Sequence, residues 1–548
     1  MKRLAIALLT LLLTAGALSI PLTDRYFEIA RNLDLFASVY KEVNNFYVDE
    51  VNPSLLMKTA IDHMLENLDP YTNFIPADMV EDFRTASTGQ YGGIGAITRN
   101  IGNRTFISML FPGYPAHKGG LKIGDEVIAI DGRSLAGLTP EEAGLLMKGE
   151  AGKPVKLTVK RLGLTEPLTL EFKRERIKIS NVPYFGMLDN ETGYIKLTEF
   201  TPEAGKNVRQ ALLKLKEQQA RSIILDLRNN PGGLLMEAVN VCNVFIPKGK
   251  KVAATKGKLA EHNETYETLD QPVDTEIPLA ILINRGSASA SEIVAGTLQD
   301  YDRAVVLGER SFGKGLVQIT RPLSYNAQLK VTTAKYYTPS GRCVQVLDYS
   351  HRREDGSVAA VPDSLKKAFK TQNGRTVYDG GGIEPDIALV QPEPHPLIVA
   401  LHQQGHLFQY ASEYVARMPA PASAASFTLT DSDYQNFLSW MKGRTYHYES
   451  ELDKSLEDFE RAALQDHDDP ELQTRIEQLR KMISDKQKNE LVIYRSIISN
   501  ELEEEIITRY FLEAGAIELS LTKDENIKKA KALLTNTRSY NQILQVRQ

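Results

Sequence analysis

The sequence predicts an α/β core, preceded by a small β-rich domain and flanked by helical segments. Strands and helices alternate between residues 175 and 394, where "GYIKLTEF" and "RSIILDL" enclose a helix marked by Val208, Ala211, Leu212 and Leu215. This β-α-β unit indicates a partly parallel sheet. "PLAILIN" and "AVVLGE" follow as further buried strands. The α/β class rests on this alternation.

The segments around the core have different patterns. Residues 24–88 and 395–548 space their apolar residues three and four apart, as amphipathic helices do. Residues 89–174 carry glycine-rich turns and short alternating strands. The stretch "MPAPASAAS", residues 418–426, is typical of a linker. We therefore expect an N-terminal helical region, a β-domain, the core and a C-terminal helical domain.

The N-terminus has the pattern of an export signal. Lys2 and Arg3 precede an apolar run from Leu4 to Leu13, and the small residues Ala15-Gly16-Ala17 follow. We expect residues 1–17 to be a signal peptide and the protein to be periplasmic or otherwise exported. An uncleaved anchor is the alternative, although the run is short for a membrane span.

Composition narrows the function classes. The chain has 548 residues, enough for three or four domains. Its net charge of −5 argues against a nucleic-acid partner. The two cysteines, Cys242 and Cys343, cannot form a disulfide framework and lack companions for a metal site. Cys242 lies in an apolar run, so we expect a buried core thiol.

The stretch "LGERSFGKGL", residues 307–316, begins like a phosphate-binding loop. That motif needs Ser or Thr after its lysine and a helix whose N-terminus faces the phosphates. Here Gly315 follows Lys314, and "LVQITRPL" is β-branched and has the pattern of a strand. Both structural requirements fail, so nucleotide binding is not predicted.

Two other loops also follow buried strands. "NRGSASASEI" is a tight serine-rich turn that leads into a helix, and "RNNPGG" is a glycine turn. A serine at a strand-to-helix turn suits a nucleophile, although a serine-rich helix cap is the simpler alternative. Paired glycines can turn backbone N–H groups toward a reacting carbonyl. Since all three loops follow buried strands, we expect them to converge at one sheet edge.

A serine nucleophile needs a base. None of the nine histidines lies in a strand-end loop of this kind, so a Ser-His-Asp triad has no support. Lys314 is the better candidate, because apolar and glycine neighbours would desolvate its amine and favour the neutral form. Gln318 is four residues further along the predicted strand, on the same face, where it could orient that amine.

With these pieces in place, the sequence resembles the C-terminal-processing, or tail-specific, serine proteases. The motifs are "ENLDPYTNFI", "QYGGIGA", "GYPAHKGGLKIGDEVIAIDG", "DLRNNPGG", "GSASASEI" and "AKYYTPSGRCVQ", and they lie in the family's order. The resemblance implies a crotonase-like (ClpP-like) α/β protease core over 175–394 and a PDZ domain over 89–174. It also implies a serine endopeptidase with a Ser-Lys dyad and no cofactor or metal.

The resemblance assigns roles residue by residue. Ser289 is the implied nucleophile, Lys314 the general base and Gln318 the residue that orients it. The implied oxyanion hole uses the amides of Ala290 and of the Gly232-Gly233 turn. Asp300 matches an acidic family position, and we expect it to be structural.

The PDZ domain gives a physical reason for recognising C-terminal tails. Gly92, Gly93, Ile94 and Gly95 could form a backbone nest for a terminal carboxylate, with the peptide added as a strand beside Ala96. Its last side chain would enter a pocket near Met147. A glycine-rich hairpin of other purpose is the alternative.

The expected partners are protein or peptide substrates with free C-termini. An adaptor or activator protein, and a homo-oligomer formed through the helical tail, are further partners that the sequence leaves open. Two other functions stay open as well. One is a scaffold with a silent protease core, against which the complete set Ser289, Lys314 and Gln318 counts. The other is a crotonase-like acyl-thioester enzyme, against which the PDZ domain and the export signal count.

Overall fold

The computed structural model describes residues 20–353, 357–390, 393–466 and 470–545. The predicted signal peptide, residues 1–17, lies outside them. Within the described residues, no helix is both long enough and apolar enough to cross a membrane. The chain divides into two compact units, one of residues up to Ile75 together with Thr320–Val331, and one of Pro76–Ile319 together with Thr332 onward.

The helices and strands are numbered in chain order. The helices are α1 Ile20–Phe46, α2 Pro53–Glu66, α3 Val80–Thr88, α4 Pro115–Lys118, α5 Pro140–Met147, α6 Ala204–Glu217, α7 Leu235–Phe245, α8 Ala290–Asp300, α9 Pro396–Gln403, α10 His406–Arg417, α11 Asp431–Met441, α12 Glu451–Asp466, α13 Pro470–Lys488, α14 Glu490–Ile493, α15 Arg495–Lys523, α16 Glu525–Thr535 and α17 Thr537–Leu544. The strands are β1 Asn73–Ile75, β2 Gln90–Gly93, β3 Ala96–Ile101, β4 Arg104–Leu110, β5 Glu126–Ile130, β6 Arg133–Ser134, β7 Pro154–Lys160, β8 Leu168–Lys173, β9 Glu175–Lys178, β10 Tyr184–Met187, β11 Thr192–Lys196, β12 Ser222–Asp226, β13 Lys251–Gly257, β14 Thr265–Glu267, β15 Leu279–Ile283, β16 Val305–Gly308, β17 Leu316–Pro322, β18 Gln328–Tyr337, β19 Leu347–Arg352, β20 Val358–Ala360, β21 Ala368–Lys370, β22 Thr376–Tyr378 and β23 Ile387–Ala388.

The smaller unit contains α1, α2 and β1. Strand β1 pairs antiparallel with the start of β18, with Asn73 opposite Lys330. The side chain of Asp69 accepts hydrogen bonds from the backbone amides of Tyr71 and Thr72, at 2.8 and 2.9 Å, and so fixes the turn before β1. The helices predicted after residue 24 are therefore present, and a short strand follows them.

The larger unit is built on a six-stranded sheet with the order β10-β11-β12-β15-β16-β23. Strand β10 is antiparallel to β11, and the other neighbouring pairs are parallel. Residues alternate between the two faces, as the two-residue period of a strand requires. Ile223 and Leu225 enter one buried cluster, whereas Ile224 enters the other. The predicted α/β core is confirmed.

Helices cover both faces of this sheet. α6, α7 and α8 bury their apolar sides on one face, and the predicted core thiol Cys242 lies there with no exposed surface. The other face is covered by Leu521 at the end of α15 and by residues of α16 and α17, including Ile527 and Tyr540. The predicted helices after residue 395 are present, but the last of them do not stand apart from the α/β core. They form a layer of it.

The β-domain is a second sheet with the order β3-β4-β5-β7-β8, and α5 packs on its core. The helices α9, α10 and α15 of the tail contact this domain. Arg99 donates to the carbonyl of His402 at 2.9 Å, and the rings of Phe106 and Phe408 lie 5.9 Å apart. The predicted linker, residues 418–426, also packs against the tail helices, since Ala424 is buried in a cluster with Ile507 and Leu519.

The contact between α9 and α15 of the tail, beside this junction, is expected to weaken as pH rises. A hydrogen bond to Glu501 at 2.7 Å raises the pKa of His402. Burial, followed by repulsion from Glu501, raises the pKa of Glu504 to about 7. Because the folded state binds these protons more tightly than the unfolded chain, their stabilisation is complete at low pH and is lost as pH rises through the raised values.

The measurement is the melting temperature by circular dichroism between pH 5.5 and 8.5, for the wild type and Glu504→Gln. In the wild type, the free energy of unfolding should fall by about 2 kcal/mol over this pH range because of Glu504, since one pKa unit corresponds to about 1.4 kcal/mol. In Glu504→Gln this part of the fall should be absent. Equal pH slopes for the two proteins would contradict this account of the contact.

Candidate active site

Three loops meet at the carboxyl ends of neighbouring parallel strands. Residues 227–234 follow β12, residues 284–289 follow β15, and residues 309–315 follow β16. Hydrogen bonds join the loops directly, because the Ala288 amide donates to the Asn230 carbonyl at 3.0 Å and the Phe312 amide donates to the Ser287 carbonyl at 3.0 Å. The predicted convergence at one sheet edge is confirmed.

Ser289 is at the sharpest point of its loop. Its φ of 54° and ψ of −111° lie outside the usual regions for an L-residue, and α8 begins directly after it. Such a strained backbone persists only where the surroundings hold it, and it is typical of reactive residues. The buried Tyr336 hydroxyl supplies one such constraint, as it donates to the Ser289 carbonyl at 3.2 Å.

The buried carboxylate of Glu292 connects the turn of Ser289 with the turn of Lys314. Its Oε2 accepts from the amides of Ser289 and Lys314 at 2.8 and 2.9 Å. Its Oε1 accepts from the Gly313 amide at 2.7 Å and from the Ser311 hydroxyl at 2.6 Å. Burial raises the pKa of Glu292, and the four donors act in the opposite direction by stabilising the carboxylate.

Sequence analysis did not single out Glu292, although a signal was present. A glutamate three residues after a serine at a helix start is the pattern of a capping box, which places the carboxylate at the serine amide. What the pattern could not predict is the second half of the contact, to Gly313 and Lys314.

The glycines beside Lys314 allow a neighbouring segment to pass closely. A Cβ on Gly313, whose φ is 87°, would lie 2.0 Å from the Val346 side chain. A Cβ on Gly315 would lie 2.8 Å from the Gln345 amide. The Gly315 amide also donates to Gln345 Oε1 at 2.8 Å, which fixes the end of the Lys314 turn on this segment. The Lys314 turn is therefore held between Glu292 and residues 345–346.

Gln318 lies on β17, as predicted. Its Nε2 donates to the Thr332 hydroxyl at 3.1 Å, which fixes the amide group on the neighbouring strand β18. Its role toward the Lys314 amine stays a prediction.

In the glycine turn, one of the predicted oxyanion donors, the Gly232 amide, already has an acceptor. The Gly232 amide donates to Asn230 Oδ1 at 2.9 Å, so it belongs to the internal bonding of the turn rather than to a ligand. No described residue accepts a hydrogen bond from the amide of Gly233 or from that of Ala290, the first residue of α8. Gly232 still matters sterically, because a Cβ there would lie 2.8 Å from Ser289 Cβ and 2.9 Å from the Ala290 nitrogen.

Asn230 is a second residue that the sequence did not reveal. It is fully buried, and its Nδ2 donates to the Leu197 carbonyl at 2.9 Å. Its own carbonyl accepts from the Ser291 hydroxyl at 2.9 Å, in addition to the Ala288 amide. Asn230 thus fixes the glycine turn against the Ser289 turn.

A buried charged cluster supports the same turn from the strand side. Arg228 contacts Asp226 with its Nε and Nη2, the closest contact being 2.7 Å, and Lys196 lies 3.3 Å from Asp226. Burial acts to raise the pKa of Asp226, but attraction to Arg228 and Lys196 outweighs it and holds the pKa well below its usual range. Asp226 interrupts the apolar stretch 223–227, and a charge in such a stretch is a sequence signal for a buried polar site.

Asp300 has the structural role that we expected. Its carboxylate accepts from the Thr338 hydroxyl and the Ser340 amide, at 2.6 and 2.9 Å, and lies 2.9 Å from the buried Arg342. These contacts tie α8 to the segment 338–342, as a structural role requires.

The residues predicted to bind a peptide tail lie together in the β-domain. Ile94, Ala96 and Met147 share one apolar cluster, and β3, which begins at Ala96, lies at the edge of its sheet. Gly95 has a φ of 79°, as a turn position requires. Gly93 differs from the predicted nest, because it pairs with Glu175 as the last residue of β2.

Three regions of the chain match known protein families. Residues 191–351 match peptidase family S41, and residues 85–160 match the PDZ domain. Residues 397–534 match the family described as the C-terminal helical domain of probable PDZ-proteases. The PDZ match begins at residue 85, near the end of α3, and ends at residue 160, whereas the predicted domain spans residues 89–174.

Two known proteins match more than half of the chain. The carboxy-terminal-processing protease of Bartonella bacilliformis is 37% identical over 326 residues, which cover 59% of this chain and 74% of the relative. A probable CtpA-like serine protease of Staphylococcus aureus (strain MRSA252) is 36% identical over 316 residues, covering 57% of this chain and 62% of the relative.

Solved structures are also similar. A photosystem II D1 C-terminal processing protease is 26% identical with a TM-score of 0.36, covering 68% of this chain and 96% of its own. A peptide-bound PDZ domain from the carboxy-terminal protease of Vibrio cholerae is 28% identical with a TM-score of 0.16, covering 16% of this chain and 99% of its own. On the sequence matches, the chain belongs to the carboxy-terminal-processing serine proteases of peptidase family S41, with a PDZ domain and a C-terminal helical domain.

Proposed function

We propose that this protease cleaves peptide bonds with Ser289 as nucleophile and Lys314 as general base. The observation that carries the proposal is the Glu292 carboxylate, whose Oε2 holds the amides of both residues, at 2.8 and 2.9 Å. A dyad needs its two side chains at a fixed separation, and one buried acceptor shared by both backbones supplies that constraint.

The proposed reaction has two halves. The neutral Lys314 amine takes the proton of the Ser289 hydroxyl as its oxygen attacks the substrate carbonyl, and then returns that proton to the leaving amine. A water, deprotonated by the same amine, attacks the resulting ester and releases the second product. Gln318, held by Thr332, would keep the amine in place through both halves.

The oxyanion of each half would be bound by the amides of Gly233 and Ala290. Ala290 is the first residue of α8, where a backbone N–H has no partner within the helix and the helix dipole favours negative charge. Donors that are fixed before the reaction stabilise the developing charge without reorganisation.

We also propose that the PDZ domain selects substrates by their C-terminal tails. The edge strand β3 offers unpaired backbone groups to an added peptide strand, and the exposed Ile97 offers an apolar contact beside it. The cluster of Ile94, Ala96 and Met147 suits an apolar last residue. Substrates would therefore be proteins with an accessible apolar C-terminus.

The test is cleavage of a loosely folded protein that ends in an apolar tail. We expect cleavage by the wild type and a loss of at least about a thousandfold with Ser289→Ala or Lys314→Ala. The same substrate with an amidated C-terminus is the control for tail recognition, and its KM should rise while kcat changes little. Equal cleavage by the wild type and both variants would exclude the dyad.

Export is the remaining part of the proposal. Its support is the charged, apolar and small-residue pattern of residues 1–17. Fractionation of cells that express the full chain tests it, with the protein expected outside the cytoplasm and shortened near residue 17.

A further inference from the structure

The oxyanion turn begins at a residue that is held by charges from two distant parts of the chain. Arg228 directly precedes Asn229 and Asn230, and only about a tenth of its side chain is exposed. On one side its guanidinium contacts Asp226, at the end of β12. On the other side its Nη1 lies 2.7 Å from Oδ2 of Asp524, a residue of the C-terminal helical domain. The Arg228 guanidinium is therefore held by two carboxylates at the start of the turn.

Asp524 is itself fixed by the fold. It is the N-cap of α16, and its Oδ1 accepts from the amides of Asn526 and Ile527 at 2.8 and 3.2 Å. These two bonds use one carboxylate oxygen and leave the other for Arg228. A capping side chain has few alternative rotamers, so it offers the guanidinium a rigid anchor rather than a mobile surface charge.

The helices that follow Asp524 are attached to the sheet that carries the catalytic loops. Ile527 and Ala530 of α16 are buried against it together with Ile224 and Leu282. In α17, the Tyr540 hydroxyl bonds to both the amide and the carbonyl of Leu279, at 3.0 and 3.1 Å. Leu279 begins β15, the strand that leads to Ser289. The anchor of Arg228 therefore moves with the sheet.

We propose that Asp524 is a positioning residue for catalysis, which acts through Arg228 on the oxyanion turn, so that the C-terminal helical domain completes the active site. This inference rests on the proposed function of that turn. With the carboxylate in place, Arg228 is held from both sides and the Gly233 amide keeps its orientation. Without it, the guanidinium keeps its contacts with Asp226, and the start of the turn loses one of its two carboxylate anchors.

The expected effect falls on the chemical step. Donors of an oxyanion hole must lie within a few tenths of an ångström of their best position to stabilise the transition state. Substrate capture by the PDZ domain does not involve Arg228. Loss of the Asp524 charge should therefore lower kcat and leave KM nearly unchanged.

The chain offers a substitution that separates charge from capping. Asparagine is as good an N-cap as aspartate, so Asp524→Asn keeps the start of α16 while removing the charge that faces Arg228. Asp524→Ala removes both. Lys531→Gln is the matched control, because Lys531 of the same helix pairs with Asp189 at 3.3 Å, away from the catalytic loops.

The experiment uses the full chain and measures kcat, KM, melting temperature and the affinity of a substrate-like peptide aldehyde, which mimics the tetrahedral intermediate. For Asp524→Asn we expect kcat to fall about tenfold, which corresponds to about 1.4 kcal/mol. The aldehyde should bind more weakly by a similar factor. KM and the melting temperature should stay close to those of Lys531→Gln.

The outcomes are distinct. Wild-type activity together with equal kinetics for Asp524→Asn and Lys531→Gln would overturn this inference alone. A loss of activity that follows a loss of folded protein in Asp524→Asn would also overturn it, since the residue would then be structural. A wild type that cleaves no peptide would overturn both this inference and the proposed function.

Discussion

Replacing Glu292 with glutamine is expected to lower kcat/KM at least about a thousandfold and the free energy of unfolding by roughly 3–5 kcal/mol. The carboxylate accepts four hydrogen bonds, two at each oxygen, in a site without exposed surface. An amide has one oxygen. In either orientation its NH₂ group would face two donors, so two backbone or hydroxyl donors would lose their acceptor.

The site should respond to this change more strongly than the rest of the fold. The donors that lose their partner belong either to Ser311 and Gly313 or to Ser289 and Lys314. With the NH₂ group at the Oε2 position, the two turns lose their common acceptor. With it at the Oε1 position, that acceptor remains, but the segment before Lys314 loses the bonds from Ser311 and Gly313. Activity should therefore fall further than the folded fraction, which kinetics and chemical denaturation of the same preparation would measure.

Glu490→Gln is a matched control for this prediction. Glu490 is also buried, at 4% exposure, but its Oε2 has no hydrogen-bond partner among the described residues, and burial raises its pKa. The same chemical change there should leave activity unchanged and should be neutral or stabilising, because it removes a poorly solvated acid. If both glutamine variants kept wild-type activity, Glu292 would not be the constraint that holds the dyad.

The contrast between these two glutamates shows what sequence could predict. Lys314 and the serine-rich turn drew attention because each lies in a short loop after a buried strand, and parallel strands bring such loops together. The family resemblance then selected Ser289 within that turn. The convergence follows from local patterns. The contacts that hold the loops in place do not follow from such patterns. Glu292 and Asn230 bond to backbone atoms of segments that are distant in the chain, and a sequence pattern does not record those contacts.

The same limit applies to the tail. Its amphipathic spacing predicted helices, and these are present. Whether an apolar face covers a sheet, another helix or a second protein depends on tertiary packing, so the layer formed by α16 and α17 could not be predicted from periodicity. The Gly232 amide is a third example, because only the structure shows that it already donates a hydrogen bond to Asn230 Oδ1.

Gly232→Ala is expected to lower kcat by about 10²–10³, the loss that follows when an oxyanion donor is removed. Gly232 has a φ of 101°, which a residue with a Cβ adopts only under strain. The added methyl group would lie 2.7 Å from the Ala288 carbonyl oxygen, 2.8 Å from Ser289 Cβ and 2.9 Å from the Ala290 nitrogen. These are backbone atoms or the first side-chain atom, so rotamer changes cannot relieve the contacts.

Relief must instead come from separation of the two turns, which would displace the nucleophile from the amides of Gly233 and Ala290 together. Gly249→Ala is the control, because Gly249 also has a positive φ, 75°, but has open space around the position of a Cβ. It should cost roughly 1 kcal/mol of stability and leave kcat unchanged. If the two alanine variants lost stability equally and both kept full kcat, the close approach of Gly232 to Ser289 would have no part in catalysis. A loss of kcat confined to Gly232→Ala, with unchanged binding of a C-terminal peptide, would place the effect at the turn itself.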